Sequence, residues 1–163
     1  MKLEDRLDKI ETICDLSRNV AVATDLITSL CGEHLATGAF REVYNYNLDD
    51  RYVVKIEPCN SNCNIVEYMI WDEVKGLINN SEWVKKWFAP VKWISPNGKI
   101  LIMRKTIESH KKHKKKLPEK VPEFLWDVKL DNFGWIGNNF VCHDYGQFYN
   151  MIHYPKKMVK AKW

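Results

Sequence analysis

A chain of 163 residues with 45% apolar content is long enough to bury the core of one domain, or of two small lobes around a shared cleft. No apolar run approaches the roughly 18 residues that span a bilayer, and the first residues lack a signal-peptide core, so the expected setting is the cytoplasm, without a membrane. The formal net charge of +4 is uneven: residues 1–75 carry 8 Lys/Arg against 14 Asp/Glu, and residues 76–163 carry 17 against 7.

Residues 3–30 read as helical, with Leu3, Leu7, Ile10 and Ile13 or Cys14 on one face and a second apolar stretch from Val20 to Leu30. Cys31-Gly32 then offers a stop. Residues 35–57 read as two or three strands with a turn at Asn47-Leu-Asp-Asp50, and residues 64–78 as a helix. Two further strands over 89–103 flank the turn Ser95-Pro-Asn-Gly98, a good hairpin signal. The run His110-Lys-Lys-His-Lys-Lys-Lys116 reads as a self-repelling linker, and residues 128–146 as a hairpin turning at Gly137-Asn-Asn139. Five cysteines, an odd number without a C-x-x-C pair, fit a reducing compartment, and neither Cys59-x-x-x-Cys63 nor Cys142-His143 has the second ligand pair of a zinc site. Seven tryptophans read as structural. Trp71, Trp83 and Trp87 fall at helical spacings, and Trp126 and Trp135 are expected to wall the last hairpin.

The most informative residues are Asp127-Val-Lys-Leu-Asp-Asn132 and, twelve residues on, Asp144-Tyr-Gly146. Together they set a base, a cation and two oxygen-bearing metal ligands on one short hairpin, the inventory that a loose, highly charged phosphoryl-transfer transition state requires. Upstream stand Leu35-Ala-Thr-Gly38-Ala-Phe40-Arg-Glu-Val43-Tyr44, then Tyr52-Val-Val-Lys55-Ile56, then Glu67 within Asn64-Ile-Val-Glu67, and Lys99-Ile-Leu-Ile-Met103. In this order the segments resemble the protein kinase family: a degraded glycine-rich loop, the V-A-I-K strand, the helix glutamate, the strand before the hinge and the catalytic hairpin. Any one of them alone is weak.

The resemblance implies an α+β, protein-kinase-like fold: an N-terminal helical segment (1–34), a small β-rich lobe (35–104) and a strongly reduced C-terminal lobe with a basic linker and tail (105–163). It implies ATP and Mg²⁺ as cofactors. Asp127 would orient the attacking hydroxyl and accept its proton, and Lys129 would steady the transferring phosphate. Lys55 would hold the α- and β-phosphates with Glu67 as its partner, while Asn132 and Asp144 would hold the metal. Gly38, Val43 and Met103 would enclose the nucleotide. The lysine two residues after Asp127 favours a protein-kinase-like site over a small-molecule kinase.

Departures from the pattern are informative. Ala36 and Arg41 replace the outer glycines of the loop, which hinders backbone approach to phosphate. Leu125-Trp126 replaces the His-Arg before the catalytic Asp, so activation-loop control is expected to be absent. After Gly146, 163 minus 146 leaves 17 residues, too few for an activation segment and the helices that bind peptides. The leading expectation is phosphoryl transfer to a protein hydroxyl, Ser/Thr-like or on the chain itself, as would suit a small viral or phage protein acting on a host target. The alternative is an inactive relative that binds and inhibits a partner protein. A weaker alternative is a basic nucleic-acid module that uses the lysine run, which could equally meet an acidic partner.

Overall fold

The computed structural model describes residues 27–77, 81–108, 117–125, 127–147 and 154–163. The helices expected before residue 27, the lysine run at 110–116 and Trp126 lie outside them. The fold class is α+β: antiparallel sheets with few helices. A helical turn over 27–30 leads into β1 (Cys31–Thr37), β2 (Glu42–Tyr46) and β3 (Tyr52–Ile56); helix α1 (Cys63–Gly76) and the short α2 (Ser81–Lys85) follow, then β4 (Val91–Ile94) and β5 (Ile100–Arg104). These five strands form one sheet in the order β1-β2-β3-β5-β4. The helical turn ends at Leu30, just before the stop expected at Cys31-Gly32, and Cys31 opens a strand opposite Tyr46, so the chain turns straight from helix into sheet.

Alternation along the strands divides the sheet's faces. On one face, Leu30, Tyr46, Val54, Ile100 and Ile102 form a buried cluster, joined by Ile27 and Trp93. On the other, Val53, Leu101 and Met103 pack against Ile70 and Val74 of α1. Lys55 lies on this second face, opposite Val43 on β2 and Leu101 on β5.

Beyond β5 come β6 (Ile107–Glu108), β7 (Lys120–Pro122), a 3-10 turn (Leu130–Asn132), the hairpin β8 (Phe133–Ile136) and β9 (Asn139–Cys142), and β10 (Met158–Lys160). The hairpin turns at Gly137, whose φ of 57° is left-handed and favours glycine. β6 pairs with β8, and β10 pairs with β7. The second sheet is tied to the first at residues 87–89. The Cys142 amide donates to the Trp87 carbonyl (2.7 Å), and the Ala89 amide donates to the Cys142 carbonyl (2.8 Å). One core runs under both, with Phe88, Val121, Leu125, Phe133, Phe140 and Tyr145 continuing from Met103 and Val74. Among the described residues no helix is long and apolar enough to cross a membrane.

Candidate functional site

Helix α1 carries a polar pair where its spacing calls for apolar residues. Cys63, Asn64, Glu67, Ile70 and Val74 form its buried stripe, so two polar side chains enter the interior and need partners there. The helix start is anchored by Glu57, just past β3, whose carboxylate accepts from the backbone amides of Asn62 (2.6 Å) and Asn64 (2.9 Å). It acts as the missing N-cap, since Asn62 makes no side-chain cap of its own. The Asn64 amide donates to the Lys55 carbonyl (3.3 Å) and the Gly98 carbonyl (3.0 Å). The helix is thereby fixed in register on β3, which sets the distance from Lys55 to Glu67.

That distance is short. Lys55 Nζ donates to both carboxylate oxygens of Glu67, at 3.0 and 2.9 Å, and to the His143 carbonyl at 2.5 Å. Glu67 has no exposed surface and also accepts from the Tyr145 amide (3.0 Å), which joins α1 to the Asp144-Tyr-Gly146 segment. Gly146 permits the approach: a Cβ there would stand 2.8 Å from both Cβ and the carbonyl oxygen of Cys63. Tyr145 is fully buried, donates to the Ala89 carbonyl (2.8 Å) and meets the Phe88 ring edge-on.

A fourth charged group completes the cluster. Arg41, at the end of the β1–β2 turn closed by the Gly38 amide on the Arg41 carbonyl (2.8 Å), points inward and is 8% exposed. Its guanidinium is bidentate on Glu67, with Nη1 2.8 Å from Oε2 and Nη2 2.9 Å from Oε1. It also donates to Asn64 Oδ1 (3.3 Å) and to Asp144 Oδ1 (2.5 Å). Burial penalises the Glu67 carboxylate, yet Arg41 and Lys55 outweigh that penalty and hold its pKa below the ordinary value. Burial, and then Arg41, push the Lys55 ammonium below its ordinary value despite Glu67 and Asp144. Arg41 is raised, since Glu67 and Asp144 together exceed the cost of its burial.

On the opposite wall, Asn132 Nδ2 donates to Asp127 at its carbonyl (3.0 Å) and at Oδ2 (2.9 Å), and Lys129 Nζ is 3.0 Å from Asp127 Oδ1. The Asn132 carbonyl accepts from the amides of His143 (2.8 Å) and Asp144 (3.3 Å), so the Asp127 loop and Asp144 are held as one piece. His143 sits between them. Its Nε2–H donates to the Asp131 carbonyl (3.0 Å), which leaves Nδ1 to accept from the Thr106 hydroxyl (2.8 Å). Burial, reinforced by Lys55, lowers its pKa to about 4.

Between the walls lies a cleft of about 650 Å³, in the range that holds a cofactor-sized molecule. Gly38, Val43, Lys55, Met103, Asp127, Lys129, Asn132 and Asp144 all line it, and Glu67 stands behind Lys55. The sequence reading thus brings its nine site residues to one place. Gly38 has a lesser role than expected: a Cβ there would meet only the Arg41 carbonyl, at an ordinary 3.6 Å, so the position does not demand glycine. At Asn132 and Asp144, where Mg²⁺ is expected, Arg41 engages Oδ1 of the Asp144 carboxylate and the Asn132 side-chain amide donates to Asp127. Glu57, Asn64, His143 and the inward role of Arg41 escaped the sequence reading. The detectable signal was Asn64 and Glu67 at buried-stripe positions; nothing local marks Arg41, whose partners lie 26 and 103 residues away.

No protein-family model matches the chain, and no curated protein or solved structure proves similar to it.

Proposed function

We propose that the cleft binds ATP and transfers its terminal phosphoryl group to a hydroxyl of a protein, Ser/Thr-like or on the chain itself, in a reduced protein-kinase-like fold. The observation that carries the reading is the pairing of Lys55 with Glu67 across one cleft from the Asp127–Lys129–Asn132 loop. Val43 and Met103 give the adenine an apolar slot, and Lys55 sits where a phosphate would meet an ammonium oriented by Glu67. Asp127, oriented by Asn132, is placed to accept the proton of an attacking hydroxyl. Lys129, largely exposed at the cleft mouth, would follow the transferring phosphate.

A second reading, that the site binds nucleotide but is catalytically inert and serves to engage a partner protein, is favoured by one contact, that of Arg41 with Asp144. Transfer of labelled γ-phosphate from ATP to the chain and to a cell lysate, for wild type beside Asp127→Asn, separates the two. The enzyme reading expects label with wild type and a loss of at least about a hundredfold in the variant, the scale of a positioned general base. Absence of label from wild type, with ATP still bound, would leave the inert reading.

A further inference from the structure

The two cations and two anions of the buried cluster are in balance, and this bears on which form of nucleotide the cleft takes. Arg41 and Lys55 stand against Glu67 and Asp144, every one of the four touching an opposite charge at 3.0 Å or less. We infer, building on the nucleotide reading above, that Arg41 is a built-in substitute for a divalent cation at Asp144, so that the cleft binds ATP without requiring Mg²⁺.

Three features support this. First, the guanidinium is held on both sides: its fork is bidentate on Glu67 and Asn64 accepts from it as well. Moving it away from Asp144 would uncouple a buried carboxylate as well as an exposed one, and a divalent ion arriving with Arg41 in place would face a like charge at contact range. Second, Asp144 is the only member of the four with substantial exposure, its side chain being 50% exposed. Arg41 therefore neutralises the one anion that would otherwise face the phosphates. Third, Arg41 comes from the β1–β2 turn that roofs the cleft, so the cation enters with the roof and is present before any ligand. The triphosphate would then meet Lys55 and Lys129 with Asp144 already compensated, a fixed charge taking over what a mobile ion would do.

The test is titration of a fluorescent ATP analogue, displaced by ATP, in excess EDTA and in excess Mg²⁺. Wild type is expected to bind with affinities within about threefold of each other, and Arg41→Gly to weaken at least about tenfold in EDTA and to recover with Mg²⁺, since Asp144 is then free to hold it. Wild-type binding that needs Mg²⁺ by about tenfold or more would overturn the inference alone. Absence of binding in every condition would overturn the nucleotide reading along with it. Should Arg41→Gly not fold, Asp144→Asn serves: it removes an anion and leaves Arg41 on Glu67, so binding in EDTA should be retained or tighter, whereas a loss in EDTA, where no metal is present, would show that Asp144 itself supports binding and would overturn the inference.

Discussion

Glu67 accepts from Arg41, Lys55 and the Tyr145 amide while wholly out of contact with solvent, so its charge is the hinge of the site's electrostatics. Glu67→Gln would leave Lys55 with no carboxylate partner and Arg41 with only the half-exposed Asp144, and its cost is expected to be about 3 kcal/mol in urea unfolding, the scale of a broken buried pair. A change of only a few tenths would mean that Lys55 joins Arg41 on Asp144. His143 gives the pH dependence. The unfolded ring takes its proton near the ordinary 6.5, whereas the folded ring waits until about 4, so the unfolded state binds more protons in between. Stability is therefore full above about pH 6.5 and declines as the pH falls toward 4. The ring is partly accessible, which limits the loss to about 2 kcal/mol, and His143→Gln should flatten the profile. An unchanged slope in that variant would assign the acid sensitivity elsewhere.

At the scale of elements, the site depends on how closely α1 lies against the Asp144-Tyr-Gly146 segment. Gly146→Ala would set a Cβ 2.8 Å from backbone and side-chain atoms of Cys63, and neither belongs to the end of a flexible side chain. The start of α1 must then move, at an expected cost of about 2 kcal/mol in thermal or urea unfolding, with loosening of the Lys55–Glu67 contact. A variant as stable as wild type would mean that the helix can withdraw freely. Much at this scale was legible in the sequence. The strand pair around Ser95-Pro-Asn-Gly98, the helix at 64–78 and the hairpin turning at Gly137 came from periodicity and turn chemistry, and all three stand within a few residues of expectation. Short strands such as β6, β7 and β10 were not legible, because two or three residues carry no period and their existence depends on partners up to 40 residues away. Gly146 looked like a motif letter, and only the packing of Cys63 supplies its physical reason.

For the whole molecule, one core passing beneath the five-stranded sheet and the β6-β8-β9 sheet fixes the walls of the cleft relative to each other, with the Trp87–Ala89 segment clasping β9. Residue types that suit phosphate chemistry were visible in the sequence because they recur at short spacings, as in Asp127, Lys129 and Asn132. The long-range closure of Arg41 onto Asp144 was hidden, since a side chain's direction at a turn is set by tertiary partners. The central claim is that a nucleotide sits between Lys55 and the Asp127 loop, and Lys55→Met tests it most directly. Glu67 keeps Arg41 in that variant, so the fold should persist and circular dichroism should match wild type. Titrated with a fluorescent ATP analogue, wild type is expected to bind saturably and to release the analogue to ATP, and folded Lys55→Met to bind at least about tenfold more weakly. Equal binding by the two proteins, or no saturable binding by wild type, would contradict the account.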